Sequence, residues 1–323
     1  MAVSRNKPST DLPGRVSDFL ATRLAASDNL CVGLSGGCDS VVLLHLLSRL
    51  GFPGRLTAIH VHHNLSPNAD RWAAFCAAYC HDLGVPLNIQ HVAVDRKNGL
   101  GLEAAARQAR YAAFAGYATD CLLLAQHRGD QAETVLFNLL RGTGVTGAAA
   151  MPSERSFGKL RLLRPLLDIS RAEIEAYASA NHLAWVDDES NTDLSITRNY
   201  LRHEALTALT QRFPAAEVAL AQAAANFAEA GGLLDELAEL DWAQAREGDT
   251  ARLLALRALS LPRLKNLLRY HLRQLGWRVP VAARLDEFAR QLQTAGPDRH
   301  PELVLPEGKM RSAQRCLHWV PAK

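Results

Sequence analysis

Short apolar runs alternate with longer helical patterns through the first two thirds of the chain. Leu30 to Leu34, Leu56 to Val61, Leu87 to Val94 and Cys121 to Ala125 have strand length and are largely apolar. Between them, Val41 to Leu50, Ala69 to Leu83 and Glu103 to Ala118 repeat apolar residues at helical spacing, the last with Tyr111, Phe114 and Tyr117 among alanines. This alternation predicts an α/β fold, a parallel sheet with helices on both faces. Gln131 to Arg141 continues as a helix. Gly142 to Gly158, with four glycines, a proline and two serines, has no sustained period and predicts a long loop. Leu160 to Leu167 follows. A helix is expected from about Ser170 to Asn181, opened by Ser170 and Glu173 at capping-box spacing, and then a short strand at Leu183 to Val186. From about Ala215 the β signals fade into helical segments near 215–245, 251–275 and 281–294. The pattern therefore predicts a catalytic domain over 1–214 and a smaller, mainly helical domain over 215–323.

The length, 323 residues, is that of about two ordinary domains. No apolar run reaches the roughly 18 residues of a membrane helix, and Met1 to Leu20 carries Asp11, Pro13 and Asp18 rather than a signal pattern. A cytoplasmic protein with no membrane partner is expected. The six cysteines lie in apolar segments with no C-x-x-C pair, which argues against disulfides, zinc and iron–sulfur clusters. They read as small buried hydrophobes. Net charge is only +3, yet the charge is partitioned. Glu217 to Asp249 holds eight acidic residues and one basic, whereas Arg252 to Arg278 holds seven basic and none acidic. Arg269 and Arg273, one helical turn apart, are a candidate footprint for RNA, or else face the acidic helix.

Ser35-Gly36-Gly37-Cys38-Asp39-Ser40 lies directly after the first strand and before its helix. Glycines permit a sharp turn and a close ligand approach, and the unpaired N–H groups of a helix start favour an anion. No Lys follows, so this is not a Walker A loop. The charge of a bound triphosphate then falls to a metal, with Asp39 as the nearest hard ligand for Mg²⁺. The hexapeptide resembles the pyrophosphate loop of the ATP-pyrophosphatases. Asp130 and Glu133 stand at i and i+3 of a helix start, where they can hold metal or orient an amine, or serve the helix dipole alone.

Other motifs are His60-Val61-His62-His63-Asn64-Leu65, Glu103 to Arg107 with Arg110-Tyr111, His127 to Thr134 running into Arg141-Gly142-Thr143-Gly144, Arg164-Pro165, Trp185, Asp187, Ser190-Asn191, and Arg198-Asn199 with Arg202. In this order, over about Leu30 to Arg202, the set resembles the tRNA(Ile)-lysidine synthetase family. The resemblance implies a PP-loop fold of the adenine nucleotide alpha hydrolase kind. It also implies ATP and Mg²⁺ as cofactors, a CAU-anticodon isoleucine tRNA and free L-lysine as substrates, and a homodimer. Implied roles are ATP binding by Ser35 to Ser40, Mg²⁺ binding by Asp39 and Asp130, and catalysis by Asp39, Asp130 and Glu133. Substrate or tRNA contacts are implied for His60, His63, Arg107, Arg110, His127, Arg141, Asp187, Arg198, Asn199 and Arg202. The sequence departs from the family at His62, where Asp is common, and at Gly129, where a second acidic residue often precedes Asp130. It also looks too short for the further C-terminal domain of some members. Competing readings are another PP-loop tRNA enzyme, such as a thiolase, and a non-catalytic tRNA-binding protein.

Overall fold

The computed structural model describes residues 11–95, 101–296 and 298–322; of Ser190 and Asn191 only the backbone is described. The opening Met1 to Thr10 thus lies outside the described residues. The chain divides into two compact units between Asn226 and Phe227.

The first unit begins with α1 (Leu12–Ala21), β1 (Leu30–Gly33), α2 (Cys38–Leu50), β2 (Leu56–His62), α3 (Ala69–Asp82), β3 (Leu87–His91) and α4 (Leu102–Ala115). It continues through β4 (Cys121–Leu123), α5 (Arg128–Leu140), α6 (Val145–Ala148), β5 (Glu154–Phe157), β6 (Leu160–Leu163) and α7 (Arg171–Ala180). The strands form one sheet in the order β3-β2-β1-β4-β6-β5, parallel except for β5 against β6. Alternating side chains of β1 serve opposite faces. Leu30 and Val32 pack into a core with residues of α1, α2 and α7, whereas Cys31 joins Ile59, Leu122 and Phe114 on the other face. Helices therefore cover both faces, as the strand and helix periods require.

Two local expectations are corrected. Leu183 to Val186 is not a strand; Val186 N instead donates to Gly36 O at 3.0 Å. Gly142 to Gly158 is not all loop, since it contains α6 and β5, and α5 anchors it. Asn138 Nδ2 donates to Gly147 O at 2.7 Å, and Gln131 exchanges two bonds with the Met151 backbone, of 2.9 and 3.0 Å. Side-chain amides from a neighbouring helix thus supply the order that the segment's own sequence lacks. The Ser170 capping box forms as expected, with Glu173 accepting from Ser170 N at 2.8 Å.

After α7 come α8 (Thr197–Tyr200), a π-helical turn at Leu201–Ala205, α9 (Leu206–Arg212) and α10 (Ala216–Ala245). The second unit contains β7 (Arg246–Glu247), β8 (Thr250–Arg252), α11 (Leu253–Ala258), α12 (Leu261–Gln274), α13 (Ala282–Thr294), β9 (Glu302–Leu305), β10 (Gly308–Ala313) and β11 (Cys316–Pro321). Helices supply most of it, but β signals do not disappear. The five strands form an antiparallel sheet, β7-β8-β11-β10-β9. The missed signal is alternation: Leu303 and Leu305 of β9, and Met310 and Ser312 of β10, face inward while Val304 and Arg311 face outward. Leu264, Leu267, Leu268 and Leu272 of α12 pack against Leu285, Phe288 and Leu292 of α13 over that sheet.

Candidate active site

The hexapeptide turns from β1 into α2. Gly36 has φ +92°, and a Cβ there would lie 2.8 Å from Val186 Cγ2 and 3.2 Å from Cys76 Sγ, so both conformation and space require glycine. Ser40 Oγ donates to Gly37 O at 2.9 Å, accepts from Ser35 N at 3.2 Å and lies 3.0 Å from Ser35 Oγ. These bonds fix the turn, and the first-turn N–H groups of α2 have no acceptor within the helix. Cys38 is buried, and burial pushes its thiol up to about 11.

Asp39, in the first turn of α2, meets Arg171 of α7: Nη1 lies 2.7 Å from both carboxylate oxygens. Burial pushes the Asp39 carboxyl above its ordinary value; His127 and Arg171 oppose that rise and Asp130 adds to it. Groups from α2, α5 and α7 therefore act on one carboxylate. Arg171 was not anticipated from sequence, where it reads as an ordinary residue after a helix cap.

His127 caps α5. Its Nδ1 accepts from Gly129 N at 3.0 Å, and Asp130 Oδ2 accepts from His127 N at 3.0 Å. With Nδ1 accepting, a neutral ring carries its proton on Nε2. A Cβ on Gly129 would lie 2.9 Å from His127 Cε1, so the missing acidic residue leaves room for this ring position. Asp130 combines the cap with a 2.7 Å pair to Arg202 Nη2.

Glu133 is only 1% exposed and accepts from Arg198 Nη1 at 2.9 Å and Arg202 Nη2 at 2.8 Å. Burial pushes its carboxyl up, against the pull of both arginines. Arg198 and Arg202, for which the resemblance implies substrate or tRNA contacts, thus both turn inward to the carboxylates. Asn199 is buried and its Nδ2 donates to Asp193 O at 3.0 Å. Arg141 is exposed at the end of α5, its guanidinium 5.0 Å from the Phe137 ring. Arg107 donates to Tyr111 OH at 3.2 Å, and Arg110 stands close enough to His63 to help lower its pKa.

His60 lies within β2, buried, its Nδ1 2.9 Å from Leu34 O. His63 follows the strand; burial, then Arg110, lowers its ring to about 4. His62 takes a structural bond instead, its Nε2 2.9 Å from Asp70 Oδ1. Asp187 is exposed, near enough to Cys38 to act on its charge. In the second unit Arg273 pairs with Asp235 and Arg263 with Asp241, so two of the seven basic residues answer the acidic stretch of α10, while Lys265 and Arg278 pair with Asp286 and Glu307. Arg269 has no ion pair among the described residues.

A parallel sheet whose first strand feeds a Ser-Gly-Gly turn and an acidic first helical turn defines a PP-loop nucleotide enzyme. Residues 9–209 match the PP-loop domain family, and residues 252–318 match the TilS substrate binding domain. The tRNA(Ile)-lysidine synthase of Nitrosomonas europaea is 42% identical over 100% of this chain and 71% of its own length. That of Pseudomonas fluorescens is 44% identical over 97% and 73%. The chain belongs to the tRNA(Ile)-lysidine synthase family, whose members are ATP-dependent ligases. Among solved structures, the U34-tRNA thiolase NcsA of Methanococcus maripaludis, determined with its [4Fe-4S] cluster, shares the fold at 18% identity. Its TM-score is 0.56, covering 68% of this chain and 78% of that one. No described helix is long and apolar enough to cross a membrane.

Proposed function

We propose that this chain ligates L-lysine to C2 of the wobble cytidine in CAU-anticodon tRNA(Ile), forming lysidine and releasing AMP and diphosphate. The observation that carries the reading is Asp39 beside the Ser-Gly-Gly turn, paired with Arg171 and within electrostatic reach of His127 and Asp130 at the start of α5. In the first step the cytidine 2-oxygen attacks the α-phosphorus of ATP and diphosphate leaves. In the second, the lysine ε-amine attacks C2 and AMP leaves with the oxygen.

Among the described residues, no three His, Cys, Asp or Glu side chains gather closely enough to enclose a metal. Mg²⁺ keeps several waters and binds through one or two carboxylates together with substrate phosphates, a demand that the two neighbouring carboxylates Asp39 and Asp130 suit. Asp39 and Asp130 are the residues that would hold it. When bound, Mg²⁺ offsets phosphate charge. Glu133, whose buried carboxyl is a stronger base than an ordinary glutamate, orients lysine and accepts a proton from its ammonium, since only neutral amine is nucleophilic. An unpaired anticodon base costs little to reach. Arg107, Arg110, Arg141 and Arg269 are the cations proposed to meet tRNA.

The test is incubation with ATP, Mg²⁺, radiolabelled lysine and unmodified CAU-anticodon tRNA(Ile). Lysine entering the RNA, with one AMP and one diphosphate per lysine, is the expected result. Folded, ATP-binding protein that transfers none would sink the reading.

A further inference from the structure

The nucleotide loop has no lysine of its own, and its donors are neutral: helix N–H groups and two hydroxyls, one of which is already given to Gly37 O. ATP brings several negative charges. One divalent ion leaves part of that charge unbalanced. The nearby cation is Arg171, 132 positions away in sequence from Asp39.

Its present arrangement is not that of a dedicated brace between α2 and α7. Those helices are already joined by Ile174 and Ala178 in the shared core and by the 2.9 Å contact of His45 Nδ1 with Tyr177 OH. The Arg171 side chain is 41% exposed, against 26% for Asp39. Nη1 serves Asp39 and Nε serves Glu175 Oε1 at 2.7 Å, which leaves Nη2 without a partner among the described residues. Moreover, both Asp39 oxygens are engaged by a single nitrogen of Arg171, so a metal drawn to Asp39 competes with a cation for the same carboxylate. Two opposite charges that satisfy each other in the absence of ligand can exchange for two ligand charges of the same signs. Electrostatic balance is kept throughout, and a planar guanidinium suits phosphate oxygens.

We propose that Arg171 is the phosphate-binding cation of this site: it rests on Asp39, and on ATP entry it moves to the terminal phosphates and frees Asp39 for the metal. The inference rests on the ATP reading of the loop. Arg171 then stays with the diphosphate that departs, stabilising the leaving group where a Walker lysine would act in another fold.

The test is calorimetric titration of wild type, Arg171→Gln and Arg171→Lys, each with Mg²⁺ present, using AMP, α,β-methylene-ATP and inorganic diphosphate. Arg171→Gln is expected to weaken the ATP analogue and diphosphate by about ten-fold or more while AMP changes less than about two-fold, with Arg171→Lys recovering part of the loss. Equal weakening of AMP and the ATP analogue would mean that Arg171 merely shapes the loop, and would overturn the proposal. So would unchanged binding of all three. Wild type that binds none of the three would overturn the nucleotide reading itself, a distinct failure. Circular dichroism of each variant confirms that the folded protein is compared.

Discussion

Glu133 and Arg202 make a closed contact, with Arg202 Nε and Nη2 lying 3.1 and 2.8 Å from the same carboxylate oxygen. One member is fully buried and the other 42% exposed, so the pair runs from the protein interior to the surface. Arg198, 30% exposed, completes the buried charge. Glu133→Gln removes one counter-charge from each guanidinium, while Arg202 keeps Asp130 and Arg198 keeps Glu103. A fully buried broken pair costs about 3–5 kcal/mol; the exposure of the arginines reduces this to roughly 1–3 kcal/mol, readable in urea unfolding. Lysine transfer is expected to fall by about 100-fold or more. Retention of full transfer would remove Glu133 from the chemistry.

Gly36→Ala places a methyl group against Val186 and Cys76 in a left-handed backbone. The strain is of order 1–3 kcal/mol, and relief requires the turn to open. ATP binding should weaken in step with a lower melting temperature, whereas the same change at Gly51, also at positive φ but with open space around it, should leave ATP binding intact.

Gly129→Asp would supply the second acidic residue common in the family. Its Cβ would crowd His127 Cε1, so the cap bond to Nδ1 is disturbed. Lower diphosphate release is expected; a rise would show that charge outweighs ring position.

His63 gives a pH signature. Its folded-state ring is lowered to about 4, whereas an unfolded histidine titrates near about 6.5. Between these values the unfolded chain binds the extra proton, so stability falls as pH drops from about 6.5 towards 4. His60, also lowered by burial, acts in the same direction. The urea midpoint should decline through this window, and His63→Gln should flatten the decline.

Arg269 and Arg273, neighbours on α12, should separate in a salt titration of tRNA binding. Arg273 is engaged by Asp235, so Arg273→Gln is expected to lower the melting temperature and leave the salt slope alone. Arg269→Gln should reduce the slope by about 1. Identical slopes for wild type and Arg269→Gln would remove this helix from the RNA footprint.

The alternation of strands and helices from β1 to α5 was legible because burial on one or both sides writes a short-range period into the chain, whereas α1, α6 and β5 were not read from it. The Ser35 to Ser40 turn was legible for the same reason: its glycines and hydroxyls act on neighbours a few residues away. Local sequence alone also placed Asp130 and Glu133 on one side of a helix start. The antiparallel sheet of the second unit was missed, since its strands are short, only two to six residues each, and carry little alternation. Only the tertiary structure decided which charge faces which. Arg171 reaches Asp39, Arg198 and Arg202 turn inward to Glu133, and Arg273 turns to Asp235, because Coulomb pairing depends on distance in space, which chain topology sets and sequence spacing does not.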